Sequence, residues 1–249
     1  MDVTNRFVLD FAGRHGGRVL DYGCGAGAVV AAGLAAGLDI RGADVFYAGS
    51  DARAEAERSG LLGGAVVEIR EGRIPFPDAS FDLVVNNQVM EHVEDLDGAL
   101  AEIRRVLAPG GLVLSIFPSR DVWREGHIGI PFAHWFRKRS RARFQYTLTL
   151  RRLGLGYWKE QASTSRRWAA DKLEWLDAHT RYRSREEILS AYERWFTNEF
   201  REGEYIRYRL RDKPRRAFLA RLLDAPGVQP LAVALFRKLA FLVIVSRPR

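Results

Sequence analysis

VLDYGCGAG, residues 19–27, decides the fold of this 249-residue chain. A short apolar run at 18–22 (RVLDY) leads into Gly23, Gly25 and Gly27, and AVVAAGLAA at 28–36 then reads as a helix of small residues. The glycines let the backbone turn sharply between strand and helix and approach a ligand closely. Asp21 closes the strand beside them. About twenty residues on, Asp44 closes a second strand, at a distance where a carboxylate can accept hydrogen bonds from ribose hydroxyls.

Outward from this turn, strand and helix alternate. LDIRGA at 38–43 and AVVEI at 65–69 read as strands two and three, with a helical stretch between them at about 50–60. FDLVVN at 81–86 is strand four. Residues 95–107 form an amphipathic helix, with Leu96, Leu100, Ile103 and Leu107 on one face at a period of 3.6. Pro109-Gly110-Gly111 stops it, and LVLSIF at 112–117 is strand five. This alternation specifies an α/β fold, a parallel sheet covered on both faces, with its ligand at the carboxyl ends of the strands.

The glycine pattern alone admits two cofactors. Gly23, Gly25 and Ala28 also satisfy the G-x-G-x-x-A spacing of a dinucleotide site, which would place a pyrophosphate at the helix N-terminus. Asp21 weighs against that reading. A carboxylate two residues before the first glycine repels a pyrophosphate and suits a cation, such as the amino-acid end of S-adenosylmethionine.

Further along, the chain resembles the class I S-adenosylmethionine-dependent methyltransferases, in the small-molecule, type 11-like branch. The resemblance rests on VLDYGCGAG, on Asp44, on IPFPDASFDLVV (74–85), on Asn87 through Glu91-His92-Val93, and on EIRRVLAPGGLVLSIFP (102–118). It covers residues 18–118 closely and the rest in outline. It implies a Rossmann-like, doubly wound, seven-stranded sheet whose final strand is antiparallel, with S-adenosyl-L-methionine as cofactor. It also implies roles for individual residues. Asp21, Gly23, Gly25 and Gly27 would hold the methionine part, and Asp44 the ribose, with Val45 and Phe46 beside the adenine. Asn87 and Gln88 would lie near the sulfonium. The family's acidic residue after strand three has only Glu71 as a weak counterpart, in the short loop Arg70-Glu71-Gly72-Arg73.

Transfer to a hydroxyl usually also needs a base. Three histidines are candidates: His92 at the start of the helix after strand four, and His127 and His134 in REGHIGIPFAHWF (124–136), beyond strand five. For His92 the reading that competes is packing or orientation near the site. No metal site is expected, since the seven-residue spacing of His127 and His134 matches no standard local pair and no cysteine is near.

Charge divides the chain as sharply as the motifs do. Residues 1–118 carry ten Lys+Arg and seventeen Asp+Glu, and residues 119–249 carry twenty-nine and fourteen. All six tryptophans lie between Trp123 and Trp195. One domain over 1–249 is expected, with a cofactor-binding half at 1–118, a helical, aromatic, substrate-side insertion after strand five at 119–180, and a C-terminal half at 181–249 completing the sheet. Helices are expected in RRWAADKLEWL (166–176), at 184–194 under a Ser184/Glu187 capping box, and at 214–225 and 230–238. Strand six is expected within 197–210, and LAFLVIVS (239–246) reads as a buried final strand.

Aromatic residues interleaved with arginine suit sugars, nucleobases, phosphates or an anionic membrane surface. They also suit an insertion that simply packs its own core, with arginine stems covering the surface. The favoured reading is O-methylation of a small polyhydroxylated, glycan or lipid-linked acceptor. An RNA or other nucleic-acid methyltransferase using the basic half, and a non-catalytic protein that keeps the cofactor fold, are the alternatives. A nicotinamide dehydrogenase is a distant further one. Cys24 is the sole cysteine, which excludes an internal disulfide and a thiolate zinc cluster. The N-terminus lacks the pattern of a signal peptide. No apolar run reaches the roughly 18–20 residues of a membrane span, although peripheral membrane contact stays open. The cytoplasm is therefore the expected compartment. Nothing in the residues sets an oligomeric state.

Overall fold

The computed structural model describes residues 1–47, 50–212 and 217–249. The helix α1 (Val3–His15) precedes β1 (Arg18–Tyr22), and α2 (Ala28–Ala35), β2 (Asp39–Asp44), α3 (Ala52–Arg58) and β3 (Val66–Glu68) follow. Next come β4 (Phe81–Asn87), α4 (Leu96–Val106) and β5 (Leu107–Phe117). Beyond β5 lie α5 (Arg141–Arg152), α6 (Ser165–His179) and α7 (Arg185–Glu193). The chain ends with β6 (Phe196–Phe200), α8 (Glu202–Arg211), α9 (Ala217–Leu222), α10 (Val228–Leu239) and β7 (Leu242–Pro248). Of the helix expected at 214–225, residues 214–216 lie outside the described residues.

The seven strands run in the order β3-β2-β1-β4-β5-β7-β6. Neighbours are parallel from β3 to β5, and β7 runs antiparallel to both β5 and β6. This is the Rossmann-like methyltransferase sheet. β1 lies between β2 and β4, where the order of the strands reverses, so the crevice beyond its carboxyl end is the place for a ligand.

Apolar residues fill both faces. On one side Leu100 and Ile103 of α4 and Ile188 and Tyr192 of α7 pack on Val84, Val113 and Ile244 of the sheet. On the other, Phe7 and Val8 of α1, Val30 of α2 and Tyr205 of α8 pack on Val19, Leu83 and Val243. The capping box forms as expected, with Ser184 and Glu187 each bonding the other's backbone N–H.

Three helices differ from the sequence expectation by being present at all. α1 shows only Phe7, Val8 and Ala12 as buried residues, a stripe too thin to stand out. α5 buries Arg143 and Thr147 beside Leu148, with Phe144 and Leu150 only partly buried, so its inner face is partly polar. α8 takes up most of the stretch, 197–210, in which strand six was expected. β5 also starts earlier than expected. Leu107 already pairs with Phe81, and the register shifts before Leu83 pairs with Leu112. Pro109-Gly110-Gly111 is thus an irregularity inside the strand pairing. A Cβ on Gly111 would stand 2.9 Å from the Asp82 carbonyl.

Residues 119–180 hold a small core of their own. Ile128, Ile130, Leu148, Leu173 and Leu176 surround Trp168, which is fully buried and donates its indole N–H to the Tyr157 carbonyl at 2.9 Å. Arg143 reaches out of α5 to the Ala133 carbonyl and pairs with Asp177 of α6. Arg183, just beyond α6, donates to the carbonyls of Val93 (2.9 Å) and Glu94 (2.7 Å) and so fixes the loop after β4. Part of the positive charge of the second half is therefore spent on internal carbonyls and carboxylates. No helix among the described residues is long and apolar enough to cross a membrane.

Candidate active site

A cavity of about 730 Å³ opens at the carboxyl ends of β1, β2, β3 and β4. Gly23 and Gly25 line it from the first loop, Asp44 and Val45 from the end of β2, Glu71 from the loop after β3, and Gln88 and His92 from the loop after β4. The backbone here requires glycine at two positions. Gly23 has φ +77°, and a Cβ on it would stand 2.4 Å from a methyl of Val89. Gly25 has φ +55° and no atom within 4 Å of where a Cβ would go, so its bare backbone faces open space.

Asp44 organises this loop. Its carboxylate accepts from the backbone N–H of Gly25 at 2.8 Å and of Phe46 at 2.8 Å. Each oxygen keeps a second lone pair for a ligand hydroxyl. Asp21 is 4% exposed. Burial, and then the neighbouring Asp44 carboxylate, push it up to about 7. Burial likewise pushes the Cys24 thiol well up, with Asp21 and Asp44 adding to the effect, so Cys24 stays a neutral thiol.

The remaining predicted cofactor residues divide. Val45 is exposed at the rim. Glu71 lines the cavity from a left-handed backbone position. Gln88 lines it too, held by its own N–H donating to the Ile116 carbonyl at 2.7 Å. Phe46 turns onto the core instead, with Arg53 over its ring. The side chain of Asn87 donates to Asn5 of α1 at 2.9 Å and does not line the cavity.

The fold brings two of the three histidines together. His92 and His127, 35 residues apart, face each other with their Nε2 atoms 3.2 Å apart. The partners on the far sides set both tautomers. His92 Nδ1 donates to the His179 carbonyl at 2.7 Å, and a carbonyl can only accept. His127 Nδ1 donates to Glu125 at 2.7 Å. Glu125 also accepts from the Tyr182 hydroxyl at 2.6 Å and the Ile128 N–H at 2.6 Å. Burial alone would raise the Glu125 carboxyl, but these donors hold it below its ordinary value. Burial lowers His92, keeping it neutral, and would lower His127 too, but Glu125 raises that ring above its ordinary value.

Glu91 stands beside this pair. It is 2% exposed, and neither of its carboxylate oxygens has a hydrogen-bond partner. One of them lies 4.0 Å from His92 Nε2. Burial pushes this carboxyl up to about 7. Trp175 of α6 covers the cluster, stacked on His179 and 5.3 Å from the His127 ring. His134 does not join it. It lies across Tyr182, with ring centres 4.8 Å apart, and its Nε2 meets the Arg120 carbonyl. The sequence offered His127 and His134 as neighbouring candidates of one segment, whereas the ring facing His127 is His92, from the loop after β4. Glu125 carried a local signal, two residues before His127. Tyr182 carried none.

A cavity at the strand reversal, a glycine turn with an acid on either side, and the order of the sheet now stand together. A family profile described as a methyltransferase domain matches residues 20–115. The chain carries a class I S-adenosylmethionine-dependent methyltransferase domain. A "probable S-adenosylmethionine-dependent methyltransferase" of Mycolicibacterium smegmatis is 40% identical over 129 residues, covering 50% of this chain and 46% of that protein. A ubiquinone biosynthesis O-methyltransferase of Maricaulis maris is 35% identical over 98 residues, 39% of each chain. The chain thus spans about half the length, or less, of these curated relatives. Among solved structures, an S-adenosylmethionine-dependent methyltransferase of Mesorhizobium loti superposes with a TM-score of 0.51 at 19% identity, covering 93% of this chain and 91% of that one. That likeness concerns the fold.

Proposed function

We propose that this methyltransferase domain moves the methyl group of S-adenosylmethionine to a hydroxyl of a small polyhydroxylated, glycan or lipid-linked acceptor. The cofactor supplies a methyl activated on a sulfonium. The residues of the cavity fit such a cofactor. Gly25 leaves room for close approach and Asp44 offers lone pairs to ribose hydroxyls, while Asp21, buried next to the Gly23 turn and not itself lining the cavity, adds a carboxylate behind them for a cationic group. Transfer is an in-line displacement in which the acceptor oxygen gains the methyl carbon, the sulfur–carbon bond breaks, S-adenosylhomocysteine leaves and the hydroxyl proton is released to a base or to water. Fixed orientation of the two reactants can contribute roughly 7–11 kcal/mol at most.

The observation that carries the hydroxyl reading is the pair of facing ring nitrogens, His92 Nε2 and His127 Nε2, in and beside the cavity wall. A protonated hydroxyl is a weak nucleophile, and a cluster of ring nitrogens and carboxylates is a means of removing its proton's influence. An amine acceptor would not need it. The test is to incubate the protein with methyl-labelled cofactor and a fractionated lysate. Base-stable label on neutral sugars or lipid-linked glycans supports the reading. Label confined to RNA or DNA, or on nitrogen, replaces it with the nucleic-acid or amine alternative. Cofactor binding without transfer to any fraction favours a non-catalytic role.

A further inference from the structure

The His92–His127 contact is unusual for two neutral rings. Each Nδ1 carries its hydrogen outward, His92 to the His179 carbonyl and His127 to Glu125. The two Nε2 atoms therefore face each other across 3.2 Å. With both rings neutral their lone pairs would repel, so the contact needs a cation between them, either a proton on His127, the ring that Glu125 raises, or a metal ion. The buried carboxyl of Glu91, with both oxygens unpartnered among the described residues, stands on the same side. One ligand atom from each of Glu91, His92 and His127 falls within 4.8 Å of the others.

We propose that Glu91, His92 and His127 bind one divalent transition-metal ion of the zinc class, whose open positions take the acceptor's hydroxyl oxygen. Zinc–nitrogen bonds of about 2.0–2.1 Å set tetrahedral ligand atoms about 3.3 Å apart. The two ring nitrogens already stand at 3.2 Å. The Glu91 oxygen, at 4.0 Å from His92 Nε2 and within 4.8 Å of the His127 ligand nitrogen, needs to close by up to about 1.5 Å to join them. Two imidazoles and one carboxylate are a ligand set for zinc, manganese or iron, and three protein ligands leave positions open for a substrate. The outer shell is also in place. A ligating histidine ordinarily donates its other N–H to a carbonyl or carboxylate, which fixes the ring. Here a backbone carbonyl does so for His92 and Glu125 for His127, with Tyr182 steadying Glu125. The histidine side chains are 28% and 22% exposed and Glu91 is fully buried, so an ion would be anchored from the protein side and open toward the cavity that His92 lines. A metal there would hold the hydroxyl oxygen and lower the pKa of its proton, which would leave to solvent water because both ring nitrogens are then ligands.

The role assigned to the open positions rests on the hydroxyl-transfer reading, while the metal site does not, and the test separates them. The full chain, stripped with chelator, is titrated with Co²⁺ by visible absorbance and with Zn²⁺ by equilibrium dialysis. One equivalent per chain, with tetrahedral-type Co²⁺ bands, is expected. His127→Asn and Glu91→Gln should each weaken binding about 100-fold or more, and Glu125→Gln about 10–100-fold. Nitrogen NMR of the wild-type chain adds a readout that needs no variant: Nδ1–H retained and Nε2 shifted on both rings upon addition of Zn²⁺. No stoichiometric binding by the wild-type chain overturns the proposal, as does equal affinity in both ligand variants or unshifted Nε2 resonances. Methyl transfer by a chain that binds no metal also overturns it and leaves the histidines as direct proton acceptors. Metal binding without methyl transfer keeps the site and removes the function proposed for it.

Discussion

Replacing Asp21 by Asn should make the protein more stable and a poorer binder at once. Asp21 is 4% exposed, and burial with the nearby Asp44 lifts it from 3.8 to about 7. At about 1.4 kcal/mol per pH unit, holding it ionised costs the folded, ligand-free chain about 4 kcal/mol at pH 8. The sign follows from a folded-state value above the unfolded one. The native state holds the extra proton between about pH 4 and 7, so this group's contribution to stability is intact below pH 4 and lost as pH rises through 7. Asn carries no charge to desolvate, so Asp21→Asn should gain about 2–4 kcal/mol at pH 8, the lower figure allowing for imperfect amide bonding. For a chain of this length that is roughly 5–15 °C in Tm. The gain should shrink toward pH 4. Cofactor affinity should move the other way. Loss of a charge-assisted contact of about 1.5–3 kcal/mol weakens S-adenosylmethionine binding about 10–100-fold. The wild-type affinity should rise with pH through about 7, and the variant's should stay flat. Thermal unfolding across pH 4–8, with equilibrium dialysis of the cofactor, reads both. A variant less stable than wild type at pH 8, or one that binds the cofactor equally well, would refute the account of Asp21.

Other outcomes follow from the same geometry. His127→Ala should lower turnover about 100-fold or more while leaving the cofactor Kd within threefold, because His127 does not line the cofactor cavity; steady-state kinetics with dialysis separates the two. His134→Ala should leave turnover within about threefold and cost about 1–2 kcal/mol in urea unfolding, as its Nε2 serves the Arg120 carbonyl and not the His92 pair. Gly23→Ala should cost about 2–4 kcal/mol and impair cofactor binding, since the added carbon meets Val89 at a left-handed backbone position. Arg143→Ala should cost about 3–5 kcal/mol by stranding the buried Asp177, visible as loss of near-ultraviolet tryptophan signal from the Trp168 core.

The sheet was legible because its signals are local. VLDYGCGAG, the alternating apolar runs and the α4 periodicity each describe one short segment, and β1 to β4 formed within a residue of where they were expected, while β5 starts five residues earlier, β7 three residues later, and β6 fills only the start of its expected stretch. Segments whose inner face is polar escaped notice. Arg143 and Thr147 are buried in α5 through an ion pair and tight packing, so no apolar stripe announces that helix. The place of the cavity was likewise readable from the strand ends, since Gly23, Gly25 and Asp44 line it, while Gly27 faces Leu61 and Val66 instead. Asn87 shows the limit of that approach, because strand alternation turns it toward α1 while Gln88 turns into the cavity. The acceptor side was legible only in part. His92, Glu125, His127 and Tyr182 come from three separate segments, and no spacing rule connects residues that only the closed fold brings together.

Calorimetric titration of the wild-type chain and Asp44→Ala with S-adenosylmethionine tests the central claim most directly. The geometry predicts one site per chain, with affinity reduced at least tenfold in the variant as the ribose acceptor and the anchor of the Gly25 loop are lost together. No binding by the wild-type chain, or binding of NAD in place of the sulfonium cofactor, would contradict it.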